Sequence, residues 1–142
     1  ASGGGHWVQL RRMRPAWDGC RVHYVSTLAR YASDLEPEER FHVVRDANQW
    51  DKLGVAIMAL QVMWLVVRVR PHVVVTTGAA PGYFTLRFGR LVGAKTIWID
   101  SIANSEELSL AGRMAARHAD VWLTQWPSLA GPAGPQYRGA VL

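Results

Sequence analysis

The sequence predicts an α/β domain with a doubly wound, mostly parallel sheet. Short apolar runs rich in β-branched residues, such as HVVVTTG at 72–78 and KTIWIDS at 95–101, alternate along the chain with helical patterns. The runs are continuously apolar, which is typical of parallel strands covered by helices on both faces. Strands that alternate with helices indicate a doubly wound sheet. We expect residues 1–142 to form one domain, with no internal repeat.

These patterns assign the elements in chain order. A glycine-rich turn at the start leads into a first helix. The long helix at 50–69 is predicted to end before a proline, which cannot continue it, and to be capped by Asp46 or Asn48. The predicted strands lie at 21–27, 41–46, 72–78, 95–101 and 121–126, and the later helices at 50–69, 83–91 and 105–118.

The chain begins where a strand is expected. Residues 2–6, SGGGH, have the form of a turn between a first strand and a first helix, yet only Ala1 precedes them. In a sheet ordered 3-2-1-4-5-6 the first strand is central, and its absence leaves unpaired backbone groups on both flanking strands. We therefore expect the domain to be truncated just before Ala1.

The composition narrows the classes of function. A hydrophobic content of 49% and a charged content of 19% exclude an intrinsically disordered chain. The net charge of +5 comes almost entirely from arginine, which suits phosphates and anionic surfaces. The single cysteine, Cys20, excludes an intrachain disulfide and a cysteine cage, and we expect no metal. No basic run is interleaved with aromatic residues, so nucleic acid is not an expected partner.

The first turn carries the strongest signal of a binding site. Ser2, Gly3, Gly4, Gly5 and His6 would place free amides at a helix N-terminus, where an anion binds favourably. Three adjacent glycines exceed the need of a tight turn, so we predict that the loop binds phosphate. It is not the dinucleotide fingerprint GxGxxG, because the last glycine of that motif is missing. His6 is a general base, a phosphate contact or a structural residue.

A second turn, TTGAAPG at 76–82, follows a later strand. Ligands of open α/β sheets bind outside the carboxyl ends of the strands, so both turns belong to the same edge. We therefore predict that Thr77 and Gly78 contribute to the phosphate site.

The segment after the strand at 95–101 lies at the same edge. Asp100 is a candidate catalytic residue, contacting an acceptor hydroxyl, or a partner for an arginine. Asn104 and Glu107 have the spacing of a capping box, and Glu106 favours the helix dipole. Asn104 and Glu106 are also candidates for binding the acceptor substrate, the molecule whose hydroxyl Asp100 would contact.

The helix at 50–69 is apolar nearly all round. Gln61 is its one strongly polar residue between Lys52 and Arg68, so a membrane surface, a partner protein or a well-covered core must hide the surplus apolar surface. We expect a membrane surface, with Arg68 and Arg70 reaching lipid headgroups. The apolar stretch falls short of the roughly 18 residues that a spanning helix needs, so no segment is expected to cross a bilayer.

Four motifs in order resemble one family: SGGGHWVQL, TTGAAPGYF, IWIDSIANSEELSLAGRMAARHAD and LTQW. The chain resembles the anchor subunit of the two-component UDP-N-acetylglucosamine transferase of lipid-linked oligosaccharide synthesis. It is also similar to bacterial counterparts in capsule and exopolysaccharide assembly. The resemblance covers nearly the whole chain, and it implies the Rossmann-like N-terminal half of a GT-B glycosyltransferase divided between two polypeptides.

The resemblance also implies partners and site residues. The chain would bind a polyprenyl- or dolichyl-diphosphate-linked sugar as acceptor, and a catalytic subunit would form a heterodimer with it and bind the UDP-sugar. The chain would need no cofactor, would be inactive alone and would lie peripherally at the cytoplasmic face of a membrane. By similarity to the single-chain enzyme that makes the lipid-linked disaccharide of peptidoglycan, Gly3, Gly4, Gly5 and His6 would meet the acceptor diphosphate. Family members often carry an N-terminal membrane helix, which these residues lack, in keeping with the expected truncation.

Two other functions fit the same patterns. One is a stand-alone nucleotide-binding Rossmann domain of the oxidoreductase type, which binding of NAD(P) by the chain alone would indicate. The other is a scaffolding membrane tether that contributes no site residue. An enzyme pair that stays active after His6→Ala would indicate the tether.

Overall fold

The computed structural model describes residues 1–141 and shows an α/β fold in which every strand pairing is parallel. Short 3-10 helices at Arg14–Trp17, Ala29–Asp34 and Pro127–Leu129 lie between the main elements. These elements are the helices α1 (Gly5–Arg12), α2 (Lys52–Val69), α3 (Ala79–Leu91) and α4 (Leu110–Ala115) and the strands β1 (His23–Ser26), β2 (Arg40–Val43), β3 (Val73–Thr76), β4 (Lys95–Ile99), β5 (Val121–Thr124) and β6 (Gln136–Tyr137).

The strands form two sheets where the sequence predicted one. β1 pairs with β2, and β3, β4, β5 and β6 pair in that order. The sheets part between β1 and β3, the two strands that flank the first strand in the order 3-2-1-4-5-6. The backbone nitrogen of Ala1 donates to the carbonyl oxygen of Val25 in β1 at 2.8 Å. A further strand before Ala1 stays a prediction.

The two faces of the larger sheet are not equally covered. Val74 and Trp98 are buried on the side of α3, whereas Val73 and Val121 on the other side are 52% and 39% exposed. Successive side chains of a strand point to opposite faces, so burial alternates along β3 and β4. On the more exposed side α1 belongs to a cluster that reaches Val75. The sequence predicted that helices cover both faces of the sheet. In the structure only the face on the side of α3 is fully covered.

The core consists of three clusters arranged along the sheets. The first lies under α1 and joins it to β1 and β2, and the second joins α2 to α3. The third lies between α3, α4 and the larger sheet. Their most buried members are Trp7, Leu10 and Tyr24 in the first, Met58, Val62 and Val66 in the second, and Leu86, Trp98 and Ala115 in the third.

Helix α2 is capped by Asp51, which is neither of the two residues predicted from the sequence. Oδ1 of Asp51 accepts from the amide of Gly54 at 2.8 Å, so the prediction of Asp46 or Asn48 as the cap is wrong. Asn48 instead forms a turn just before the helix, where its side-chain oxygen accepts from two backbone amides. The cap must immediately precede the first helical turn, and the turn at Asn48 delays that start.

Helix α4 is much shorter than predicted. It spans Leu110–Ala115 rather than 105–118, and its N-cap is Ser109, whose hydroxyl accepts from the Gly112 amide at 2.9 Å. The capping box predicted for Asn104 and Glu107 is therefore not formed. Residues 101–108 are a loop, and the side chain of Asn104, the predicted cap, is bound instead to the buried carboxylate of Asp100.

Candidate functional site

His6 is held at the carboxyl edge of the sheet by Thr77. Its Nδ1 lies 2.9 Å from the carbonyl oxygen of Thr77, and the Thr77 hydroxyl donates to the carbonyl oxygen of His6 at 2.7 Å. A carbonyl oxygen can only accept, so Nδ1 carries the proton and Nε2 keeps the lone pair of the neutral ring. Burial lowers the pKa of His6 below its usual value, against the opposing effect of the Thr77 hydrogen bond. The ring is thus neutral at pH 7 and able to accept a proton at Nε2.

Gly78 gives the His6 ring its space. It has a φ of 130°, and a Cβ there would lie 2.7 Å from Cε1 of His6. Both observations require glycine. Thr77 and Gly78 therefore position His6 in this structure, while their predicted contact with a phosphate stays a prediction.

The glycine loop at the start of α1 presents free backbone donors. Gly4 is the N-cap, with a φ of 67°, and both Gly4 and Gly5 are exposed. None of the hydrogen bonds found within residues 1–141 uses the amides of Gly5 or His6. A Cβ on Gly3 would lie 2.5 Å from the side chain of Leu28, so the loop packs closely against the chain after β1. Ser2 is half-buried beside it.

Asp100 is 1% exposed and accepts four hydrogen bonds. Its Oδ1 accepts from Trp98 Nε1 at 3.0 Å and from the Ser109 hydroxyl at 2.6 Å. Its Oδ2 accepts from the Asn104 side chain and the Ser109 amide, both at 3.0 Å. These donors satisfy the carboxylate, so the geometry gives Asp100 a positioning role and disfavours direct contact with a sugar hydroxyl. Asp100 forms no salt bridge with an arginine among residues 1–141.

The other predicted residues of this loop fall into two groups. Asn104 is half-buried and engaged with Asp100. Glu106 is exposed at the loop surface. Glu107 lies 3.5 Å from Arg113 in an exposed ion pair. Acceptor binding by Asn104 and Glu106 stays a prediction.

Two buried glutamines, which the sequence analysis missed, connect these loops. Gln9 of α1 donates to the Ser101 hydroxyl at 3.1 Å and accepts from the amide of Ile102 at 3.1 Å. Gln125 donates to Gln9 at 2.7 Å and to the carbonyl oxygen of Asp100 at 2.9 Å. The end of β5, the loop after β4 and α1 thereby form one unit. The available signal for Gln9 was its place in the sequence between the apolar residues Trp7 and Leu10, both of which are buried in α1.

No group of three or more histidine, cysteine, aspartate or glutamate side chains placed to hold a metal ion occurs among residues 1–141.

The outer face of α2 is a second candidate functional surface. Leu53, Leu60, Trp64 and Val67 are 72%, 60%, 62% and 52% exposed, and the guanidinium of Arg68 lies over the Trp64 ring at 5.3 Å. The predicted surplus of apolar surface is confirmed. Only 28% of the residues of α2 are buried, so its outer face is large.

Helix α2 also bears on the expectation that no segment crosses a bilayer. With 18 residues and a mean hydropathy of 1.7, it is long and apolar enough to cross a membrane by length and composition. That expectation rested on the apolar stretch 53–67, which is shorter than the whole helix, and it stays a prediction. The opposite face of α2 packs against α3 through Met58 and Val62, so the helix is an integral part of the domain.

Comparison with known proteins gives consistent matches. Residues 39–141 match the profile of the family described as oligosaccharide biosynthesis protein Alg14 like. The UDP-N-acetylglucosamine transferase subunit ALG14 of Yarrowia lipolytica is 38% identical over an alignment of 72 residues that covers 46% of this chain and 33% of that protein. The subunit of the same name from Eremothecium gossypii is 36% identical over an alignment of 66 residues that covers 42% of this chain and 30% of that protein. The matched segments span about a third of the length of these curated relatives.

A solved structure matches almost the whole chain. The crystal structure of Acinetobacter baumannii MurG covers 98% of this chain, which corresponds to 43% of that chain, with a TM-score of 0.77 and 12% sequence identity. This likeness concerns the fold alone. It confirms the predicted fold class, an α/β domain with a mostly parallel sheet of the Rossmann-like kind.

Proposed function

Because the chain belongs to the family of Alg14-like oligosaccharide biosynthesis proteins, we propose that it is the acceptor-binding subunit of a divided GT-B glycosyltransferase. It binds a polyprenyl- or dolichyl-diphosphate-linked sugar and recruits a catalytic subunit that binds the UDP-sugar. The donor is UDP-N-acetylglucosamine, which the names of its relatives contain. The observation that carries the proposal is the exposed glycine loop at the N-terminus of α1, with unused amides beside a neutral His6.

The glycine loop suits the diphosphate of the acceptor. The N-terminus of a helix carries partial positive charge, and its free amides donate directly to phosphate oxygens. Gly4 has no side chain to block close approach, and its φ of 67° is one that glycine adopts readily. The loop therefore binds the diphosphate through backbone groups.

His6 acts as the general base of the transfer. A neutral imidazole has no charge to offer a phosphate, but its Nε2 has a lone pair that can take the proton of the attacking sugar hydroxyl. Thr77 holds Nδ1 in the protonated form that this role needs. Activity of the reconstituted pair should therefore fall strongly in His6→Ala. Unchanged activity would leave the chain as a tether without a site residue.

Gly4→Val tests the loop. A β-branched residue at positive φ is strained and would obstruct the ligand, so we expect at least about tenfold weaker binding of a short-chain prenyl-diphosphate N-acetylglucosamine by calorimetry. Gly19→Val is the matched control, because Gly19 is also exposed, has a φ of 80° and has open space around it. Equal binding by the two variants would remove the loop from the acceptor site.

The division between two chains is tested with UDP-sugar turnover. One GT-B half lacks the opposite wall of the cleft, so the purified chain should transfer no sugar until the catalytic subunit is added. Turnover by the single chain at the rate of the pair would overturn the proposal.

The outer face of α2 is proposed to lie on the cytoplasmic face of a membrane, peripherally, beside the acceptor lipid. Its support is the row of exposed apolar side chains together with Arg68 and Arg70 at the end of the helix. Burial of apolar side chains at the interface and attraction of arginine to anionic headgroups act in the same direction.

A further inference from the structure

The segment Ala29–Asp34 is fastened to α1 beside the glycine loop. The ring of Tyr31 stacks on Trp7, with centroids 4.9 Å apart and planes 12° apart. Trp7 Nε1 donates to Asp34 Oδ2 at 2.9 Å, and Arg11 donates to the carbonyl oxygen of Asp34 at 2.7 Å. These contacts hold the segment at a defined place relative to the start of α1.

The hydroxyl of Tyr31 is part of the glycine loop. It accepts from the amide of Gly4 at 2.8 Å, and a Cβ on Gly3 would lie 3.5 Å from it. A hydroxyl that has accepted a hydrogen bond still has its own proton to donate. The hydrogen bonds found within residues 1–141 include no acceptor for that proton.

Arg30 adds a positive charge at the same place. Its guanidinium carbon lies 5.4 Å from the centroid of the Tyr31 ring. The hydrogen bond from the Gly4 amide, followed by the nearness of the Arg30 guanidinium, lowers the pKa of the Tyr31 hydroxyl. Arg30 is exposed, and it forms no salt bridge with any carboxylate of residues 1–141.

The glycine loop needs such a charge. Its amides contribute only the partial charge of a helix terminus, and His6 is neutral. A diphosphate carries full negative charge, which the planar fork of arginine pairs with well. We propose that Arg30 and Tyr31 form the charged wall of the glycine-loop site, Arg30 by pairing with phosphate oxygens and Tyr31 by donating its hydroxyl proton. This inference rests on the proposed function of the loop.

Arg30→Gln is the central test, with geranyl diphosphate as the probe and calorimetry as the measurement. A charge-assisted hydrogen bond is worth enough for about tenfold weaker binding, and the variant should also respond less to added salt. Arg87→Gln is the matched control, because Arg87 is an exposed arginine in the C-terminal half of α3, toward the opposite edge of the sheet. We expect it to change binding less than about twofold.

Two further measurements identify the recognised group. Inorganic pyrophosphate should compete with geranyl diphosphate, and Arg30→Gln should weaken both. Tyr31→Phe keeps the stack on Trp7 but removes the hydroxyl, so it should weaken binding less than Arg30→Gln and leave the salt dependence as in the parent chain.

The outcomes separate this inference from the proposal beneath it. If the parent chain does not bind geranyl diphosphate, or if Gly4→Val binds it as well as the parent, both the loop site and its charged wall are overturned. If Gly4→Val abolishes binding while Arg30→Gln matches Arg87→Gln, the loop site stands and the role of Arg30 is overturned.

Discussion

The carboxyl edge of the sheet and the outer face of α2 differ in how completely the chain satisfies its own groups. At the edge, the buried Asp100 and the two glutamines that connect the loops are bonded within the chain. On the outer face of α2, Leu53 and Trp64 are 72% and 62% exposed. A group satisfied within the chain indicates a structural role, whereas an unsatisfied one indicates a contact still to be made. This criterion favours the glycine loop and the outer face of α2 as the proposed functional surfaces, with the polar network as their structural support.

The largest expected effect concerns the internally bonded polar network around Asp100. Asp100→Ala leaves the Trp98 indole, the Ser109 amide and the Asn104 side chain without their acceptor. Unsatisfied buried donors cost about 1–3 kcal/mol each, so we expect the free energy of unfolding in urea to fall by about 4 kcal/mol.

Glu107→Ala is the control for that loss. Glu107 is exposed and makes a single ion pair at 3.5 Å, so its removal should change stability by less than about 0.5 kcal/mol. Similar losses in the two variants would mean that Asp100 does not organise the loop.

The next effect concerns the exposed apolar outer face of α2. Met63 and Trp64 are 40% and 62% exposed on α2, so Met63→Glu plus Trp64→Glu should leave the fold intact. Each apolar side chain contributes about 1.5–3 kcal/mol on burial, and we expect about 100-fold weaker binding to anionic liposomes in a pelleting assay.

A matched double variant controls for charge. Leu91 and Leu110, on α3 and α4, are 76% and 61% exposed, and Leu91→Glu plus Leu110→Glu should pellet nearly as the parent does. Circular dichroism must show that both variants are folded. If the α2 variant still pellets, or the parent never does, the outer face of α2 is not the membrane contact.

A smaller effect is expected at Gly78, which packs closely against the ring of His6. Gly78→Ala combines strain at a φ of 130° with a contact of 2.7 Å to the ring, so we expect a loss of about 2 kcal/mol in thermal or urea unfolding. Gly93→Ala has strain at a φ of 87° but open space, and should lose about 1 kcal/mol. Equal losses would mean that the His6 ring yields to the methyl group.

The smallest effect concerns pH. Burial holds the pKa of His6 below the ordinary value of about 6.5, so the unfolded state binds more protons between the two values. The stabilising contribution is fully present above about pH 6.5, and it is lost as the pH falls toward the folded pKa. NMR titration should give a midpoint below 6.5, and His6→Gln should reduce the acid slope of stability, to which the lowered pKa values of His23, His42 and His118 also contribute. An unchanged slope would contradict the lowered pKa.

Local patterns predicted much of the fold and part of the site. The strands and α2 follow from hydrophobic runs and a proline, and the glycine loop follows from three adjacent glycines. The helix predicted at 105–118 was wrong because Asp100 captures Ser109 and Asn104, a competition that a capping rule between near neighbours does not include. The two-residue strand β6 and the 3-10 segment Ala29–Asp34 are too short to produce a periodic pattern.

The sequence by itself determined the order of strands and helices, the glycine loop and the apolar character of α2, because these depend on residues close together in the chain. Only the tertiary structure decided which groups meet at the site. Gly4 reaches Tyr31 across 27 residues, His6 reaches Thr77 across 71, and Gln9 reaches Gln125 across 116. Such pairs carry no local periodicity, since the packing of whole elements against one another brings them together.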